Sequence, residues 1–409
     1  MRFLRSSWGI FLAALGIRLL AGAWLGHFSH PEGWEPEIIA NNLLAGKGFL
    51  YDGHLGLSYR AYLLPAHPFF CAAVYRVTQH SQAAVLVLQC ILSAASCLQI
   101  YAIGRLVFTR PEVALTAAWL TALHPGLVYY ASLLHPLTLD LFSYLWVLWG
   151  FLSLREEPSS GKALLLGLGA GLALLSRGTI LPFLVSAMLI FLLRSKSGRQ
   201  LGRGLRAAAI VTAATLLVVT PWLVRNAAVF HRFPLFLTTA SQSFWQGNNP
   251  LSVGTAHLPD GRPIIGKMPA GLQAELSRAN EIGQSDLFRR EGMAFIRRNP
   301  AAAVRLFLRK LRIFWWFSST TGLYYPAAYT TGYGLYYGIA AAFALWGIWL
   351  LRRRFFSGPV PLLLLFLLSV AFFQSLYYVE GRHRWAVEPV LLLFSACGLF
   401  RVSHENQTA

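Results

Sequence analysis

Three carboxylates crowd the segment Glu32-Gly33-Trp34-Glu35-Pro36-Glu37, directly after the first apolar run of the chain. A carboxylate held beside a hydroxyl can take its proton as a general base. The same residues also suit a solvated helix start, because Pro36 fits a first turn and acidic side chains favour the positive end of the helix dipole. Cationic and amide side chains are spread much more widely: Arg60, His67, His124, His135, Arg177, Arg225, Asn226, Asn248, Asn249, Arg382, His383 and Arg384. If the arginines converge they make a phosphate site, since a guanidinium presents a rigid fork of donors to phosphate oxygens. Taken one at a time, each suits contact with lipid headgroups equally well. Asp140 sits inside an apolar run, where charge is costly, so it is read as a site residue or as half of a buried pair with an Arg or His. Neither a phosphate-binding glycine loop nor an Asp-x-Asp nucleotide-sugar motif is present. His27, His30, His124 and His135 are scattered, and Cys71, Cys90, Cys97 and Cys397 lack metal-ligand spacing. The expectation is therefore no metal, no cofactor, and cysteines that serve packing in apolar stretches, with Cys71 in the first loop lacking an obvious partner.

The elements that must position these residues are membrane helices. Hydrophobic residues make up 56% of the 409-residue chain and charged residues only 12%, against about 25% charged in a soluble domain. The net charge of +19 does not point to nucleic acid, because the positive residues sit in short loops between apolar runs. Apolar length and charged punctuation predict spans near 7–26, 82–104, 112–131, 137–154, 163–176, 178–194, 207–224, 332–351, 358–378 and 386–400. The two runs flanking Arg177 are expected to form a tight hairpin, and Gly167, Gly169 and Gly171 to allow close helix approach. The run from Trp8 to Leu25 follows Arg2 and Arg5 like a signal peptide, but lacks a small-x-small cleavage site and is read as an uncleaved first span. The fold class is an all-α integral membrane protein of about ten transmembrane helices, with extracytoplasmic loops carrying short interfacial helices.

Basic loops stay cytoplasmic. Arg105–Pro111, Arg155–Lys162, Arg194–Arg206, the Arg352-Arg353-Arg354 triplet and the tail after Arg401 therefore face inside, and both termini with them. The acidic segment, Arg177 and the Glu380–Arg384 turn then fall on the extracytoplasmic side. Residues 1–409 read as one polytopic module, with a first outer loop at 27–80 and a large outer loop at 225–331. Within the latter, Arg305, Arg309, Lys310 and Arg312 alternate with Leu, Phe and Trp, the pattern of an amphipathic helix lying on the membrane.

Several segments resemble, in order, the signatures of the GT-C superfamily of membrane glycosyltransferases. The resemblance is to the group that includes protein O-mannosyltransferases and lipid A aminoarabinose transferases (glycosyltransferase family 39). They are Gly33-Trp34-Glu35 through Gly46-Lys47-Gly48-Phe49, Arg60 through Pro65-Ala66-His67-Pro68, His124-Pro125 through Tyr129 with Asp140 beyond it, and Gly171 through Ser176-Arg177. Pro221-Trp222 with Arg225-Asn226, Gly247-Asn248-Asn249-Pro250, and Tyr377 through Glu380-Gly381-Arg382-His383-Arg384 complete the series. Many relatives carry a paired Asp-Glu in the first loop where Glu32 and Glu35 are separated here, and Ala386 stands where the late turn usually has Pro. No soluble domain is expected after the last span.

The resemblance implies a sugar donor linked to polyprenyl phosphate, an acceptor hydroxyl on a glycan, lipid or protein, and a setting among lipids of the cell inner (plasma) membrane. It favours Glu35 as the base, with Glu32 as the fallback, and Asp140 as a catalytic partner that orients the base, binds the sugar or holds an Arg. Arg60, His67, Arg177, Arg225, Asn226, Asn248, Arg382 and Arg384 become the substrate-binding set. A single displacement would then invert the anomeric centre. The alternatives are a lipid or solute transporter, or a polymerase or ligase of surface polysaccharide.

Overall fold

A computed structural model of the protein describes residues 7–194, 198–233, 236–318 and 327–401. Arg2 and Arg5, residues 195–197 within the Arg194–Arg206 loop, and the tail beyond Arg401 lie outside the described residues. The chain opens with α1 (Ser7–Trp24) and α2 (Glu35–Leu44), then a hairpin of β1 (Tyr51–His54) and β2 (Leu57–Tyr59). The helices α3 (Ala66–Thr78), α4 (Gln82–Val107), α5 (Pro111–Ala122), α6 (Pro125–Ala131), α7 (Leu137–Glu156), α8 (Ser160–Ser176), α9 (Leu181–Arg194) and α10 (Gly198–Phe230) follow. The large loop contributes α11 (Ala240–Gly247), α12 (Ala270–Arg278), α13 (Glu281–Arg298) and α14 (Pro300–Trp315). The chain returns through α15 (Ala327–Leu350), α16 (Val360–Gln374), the short α17 (Gly381–Trp385) and α18 (Glu388–Leu399).

Among the described residues, five helices are long and apolar enough to cross a membrane: α1, α4, α7, α10 from Gln200, and α15. The segments Ser160–Ser176, Gly178–Arg194, Val360–Gln374 and Glu388–Leu399 are apolar but shorter. This is an all-α membrane architecture. The central helix is α7, 83% buried over its apolar window where α1 and α15 are 28% buried. It packs against α4 and α8, α8 against α10, and α15 against α18.

Two expectations are corrected. The single span over 112–131 is two helices, because Pro125 has no N–H to continue the ladder and His124 Nδ1 accepts from Leu127 N at 3.2 Å, starting α6 afresh. The runs flanking Arg177 do not close into a hairpin of their own. Arg177 is extended (φ −152°, ψ 112°), a 3-10 turn follows, and α9 leaves to pack on α16 while α8 stays between α7 and α10. The glycines of α8 explain its own closeness. A Cβ at Gly167 would lie 2.6 Å from the Val211 carbonyl oxygen of α10, and one at Gly169 only 2.2 Å from Trp146 Cδ1 of α7.

A charge the sequence reading passed over sits in mid-α1. Arg18 is fully buried and donates to Ser93 Oγ (2.6 Å) and to the carbonyls of Ala14 (3.0 Å) and Ala122 (3.2 Å), joining α1 to α4 and to the end of α5.

The two loops at the α2 end of the bundle are latched together by buried polar groups. Glu281, at the start of α13, accepts from the backbone N–H groups of Arg60 (2.7 Å) and Ala61 (2.9 Å) and from Thr238 Oγ1 (2.6 Å). In α14, Arg305, Arg309 and Arg312 are exposed beside Val304 and Leu308, whereas Leu306, Ile313 and Phe314 are buried. That is the amphipathic pattern expected, except that Lys310 belongs to the inner face. Its Nζ donates to Gly247 O and Asn248 Oδ1, each at 3.0 Å.

Burial lowers the Lys310 pKa from its ordinary 10.5 to about 7. The unfolded chain keeps this proton up to about pH 10.5 while the folded protein releases it near 7, so this group makes stability rise with pH across that window. Its penalty is full below the folded pKa. In Lys310→Met the rise in melting temperature between about pH 7 and 10.5 is expected to flatten, as scanning fluorimetry in detergent would register.

Candidate active site

Glu35 reaches its place because Trp34 is extended and α2 begins at once, with Pro36 in the first turn. The half-buried Glu35 side chain lines a cavity of about 310 Å³, a volume within the range of small-molecule sites. Across the same cavity stand Arg177, from the extended residue after α8, and Arg382, from α17, with His135 and His383 beside them. Residues more than three hundred positions apart thus share one wall. On the loop side the wall is α11, through Gln242, Ser243 and Gln246. Gln242 Oε1 accepts from His54 Nε2 at 2.8 Å, and Thr239 Oγ1 donates to Tyr62 O at 2.7 Å, so the hairpin region and α11 are fixed to each other.

Each cation has a carboxylate behind it. Arg177 Nε donates to Asp140 Oδ2 at 2.6 Å, and Asp140 Oδ1 also accepts from Ser176 Oγ. Asp140 is fully buried at the start of α7. The carboxylate engages Arg177 through Nε, and among the described residues nothing takes the Arg177 Nη groups. Arg382 pairs with Glu380 at 3.0 Å, and His257 Nδ1 lies 3.2 Å from the other Glu380 oxygen. Burial alone would raise the Glu380 pKa, but Arg382, His257 and His383 outweigh it and hold the carboxyl at about 2.

The two histidines are neutral donors. Burial is the main cause that drives both pKa values well down, and Arg177 and Arg382 add to it in each. His135 Nδ1 accepts from Leu137 N (3.1 Å) and His383 Nδ1 from Glu380 N (3.2 Å), which leaves the proton of each ring on Nε2. Both lie on the side expected from the sequence to be the outer one, but neither was among the residues expected to form the site. The signal available was their position in turns that begin helices.

Trp34 and Arg382 also line a second cavity, of about 500 Å³, so the two spaces adjoin. Its walls are aromatic, with Tyr129, Tyr130, Tyr329, Tyr333 and Trp385 among them, and the exposed Glu32 opens onto it. Glu32 and Glu35 therefore face different cavities. Glu37 faces neither: it is buried, accepting from Tyr75 Oη at 3.1 Å and from the Gln82 amide.

Other expected site residues sit elsewhere, and each for a visible reason. The exposed Arg60 contributes its backbone to the Glu281 latch and lines neither cavity. His67 is buried against α4, 2.8 Å from Gln89 Oε1. Arg225 spends its guanidinium on Arg60 O (2.6 Å) and Asn226 Oδ1 (2.8 Å) and stacks on Trp222. Asn226 donates to Phe236 O, and Asn248 ties Phe244 O to Leu376 O. Arg384 lines the aromatic cavity, but its guanidinium is buried against Glu388 Oε2 (3.3 Å), Phe314 O (3.1 Å) and the Tyr337 ring. Glu388 in turn meets His124 Nε2 at 3.2 Å. Among the described residues no group of three or more His, Cys, Asp or Glu is arranged to hold a metal.

The sequence model of the dolichyl-phosphate-mannose-protein mannosyltransferase family matches residues 64–224, the stretch that carries Asp140 and Arg177. The chain resembles the GT-C membrane glycosyltransferases. The match ends before Arg382 and begins after Glu35, so those two enter the site by geometry. Among solved structures, ArnT from Cupriavidus metallidurans bound to undecaprenyl phosphate is 15% identical over 98% of this chain and 77% of that one, with a TM-score of 0.37. The apo form of the same protein is 14% identical over 93% and 76%, with a TM-score of 0.36. No curated protein matches the chain.

Proposed function

We propose that this protein transfers a sugar from a polyprenyl-phosphate-linked donor to an acceptor hydroxyl on the extracytoplasmic side of the membrane, with inversion. The observation that carries this reading is the convergence of Glu35, Arg177 and Arg382 on one cavity. A matched family named for a lipid-phosphate sugar supports the donor class. The donor phosphate lies against Arg177 and Arg382, with the Nε2 protons of His135 and His383 as further donors. Glu35 takes the proton of the acceptor hydroxyl as its oxygen attacks the anomeric carbon. The bond from that carbon to the phosphate oxygen breaks on the opposite face, and its electron pair leaves with the phosphate. Because that charge develops on phosphate oxygens, fixed cations are worth most at the transition state. The acceptor enters from the aromatic cavity, whose shared wall at Trp34 brings it beside Glu35.

The test uses protein in nanodiscs with a panel of polyprenyl-phosphate sugars and, in parallel, nucleotide sugars. Release of polyprenyl phosphate from one lipid-linked donor is expected, with nucleotide sugars inert. Turnover of nucleotide sugars alone, or lipid binding and flux without cleavage, would overturn the reading, the latter in favour of a transporter.

A further inference from the structure

The other end of α7 holds a cavity that the chemistry above does not use. With 20 residues at about 1.5 Å each, α7 puts its C-terminal end about 30 Å from the Glu35 cavity, one hydrocarbon thickness away. There a space of about 320 Å³ is lined by Arg155 and Glu156 of α7, Arg194 of α9 and Arg203 of α10. Its inner walls are apolar: Phe151, Ile190, Phe191 and Leu362. Three guanidinium groups thus face one carboxylate, and Glu156 is a weak partner, 3.5 Å from Arg155 with its side chain 56% exposed. Arg194 also donates to Gly358 O at 3.2 Å, which fixes it at the mouth beside the start of α16. A cationic rim over an apolar wall at the end of a helix bundle matches an amphiphile with an anionic head.

We propose that this cavity binds a phosphate group between Arg155, Arg194 and Arg203, with the hydrocarbon of a phosphate-bearing lipid lying along Phe151, Ile190 and Phe191. The same cationic chemistry would hold a soluble phosphate, and the experiment separates the two sources. Delipidated protein in detergent is titrated with phosphatidylglycerol, phosphatidylcholine or inorganic phosphate, and binding is followed by native mass spectrometry. The wild type is expected to prefer phosphatidylglycerol, and Arg155→Gln combined with Arg203→Gln to weaken it about thirtyfold. Ile190→Trp, which fills the apolar wall and leaves every arginine in place, should weaken the lipid by a similar factor. Inorganic phosphate that binds the wild type, fails on the double variant and ignores Ile190→Trp would assign the site to a soluble phosphate. Equal binding of both lipids by the wild type, unchanged in either variant and without phosphate binding, would overturn the proposal.

Discussion

Glu35→Gln is expected to lower turnover about 10²–10⁴-fold, the usual worth of a positioned general base, while the donor still binds. The amide keeps the size of the side chain and the start of α2, so the cavity with Arg177 and Arg382 survives. What is lost is the ability to accept the acceptor proton. Glu32→Gln is the matched control. Glu32 opens onto the aromatic cavity, apart from both Arg177 and the neutral histidines, so its replacement should act on acceptor KM rather than on the chemical step. If turnover collapses in Glu32→Gln and persists in Glu35→Gln, the base is Glu32 and the reaction class still stands.

The second large effect belongs to Arg177 and the carboxylate behind it. Removing a preorganised charge-stabilising group costs about 10²–10³-fold in kcat, and Arg177→Gln should show that loss. It also strands the fully buried Asp140, which costs about 3–5 kcal/mol of stability when one member of a buried pair is removed. Loss of folding and loss of catalysis would then look alike. Combining Arg177→Gln with Asp140→Asn separates them. The paired neutral residues should recover most of the melting temperature, yet kcat should stay at the level of the single variant. Recovery of both together would reduce Arg177 to a structural residue. Arg177→Lys is expected to recover little activity. A lysine lacks the fork with which Arg177 offers Nε to Asp140 and keeps its Nη groups for a ligand.

The candidate site was legible in part. Glu35 and Arg177 could be singled out as candidates because a carboxylate cluster follows the first span and an Arg lies between two apolar runs, although each also had a bland reading as a helix start or a lipid contact. Arg382 stood out in the same way, in a charged turn between two apolar runs. Arg60, Arg225 and Arg384 carried the same kind of signal and went elsewhere. Two of the three satisfy backbone carbonyls through their guanidinium groups, and Arg60 offers its backbone to Glu281. Residue type does not tell an arginine that binds a ligand from one that closes a loop, since both need the same donors. His135 and His383 were missed as site members because their role rests on which ring nitrogen the local backbone occupies.

By itself the sequence determined that this is a helical membrane protein, where the apolar helices run, and which residue types are available for chemistry. Those follow from hydrophobic length and charge placement, which are properties of local segments. Tertiary structure alone decided that α9 leaves α8 for α16 and that Lys310 turns inward, whereas the break between α5 and α6 follows from the local Pro125. It also decided that Glu32 and Glu35 open onto different cavities, and that Glu35, Arg177 and Arg382 meet. Those outcomes depend on the backbone at Arg177 and Trp34 and on buried hydrogen bonds between distant segments, which no local pattern encodes.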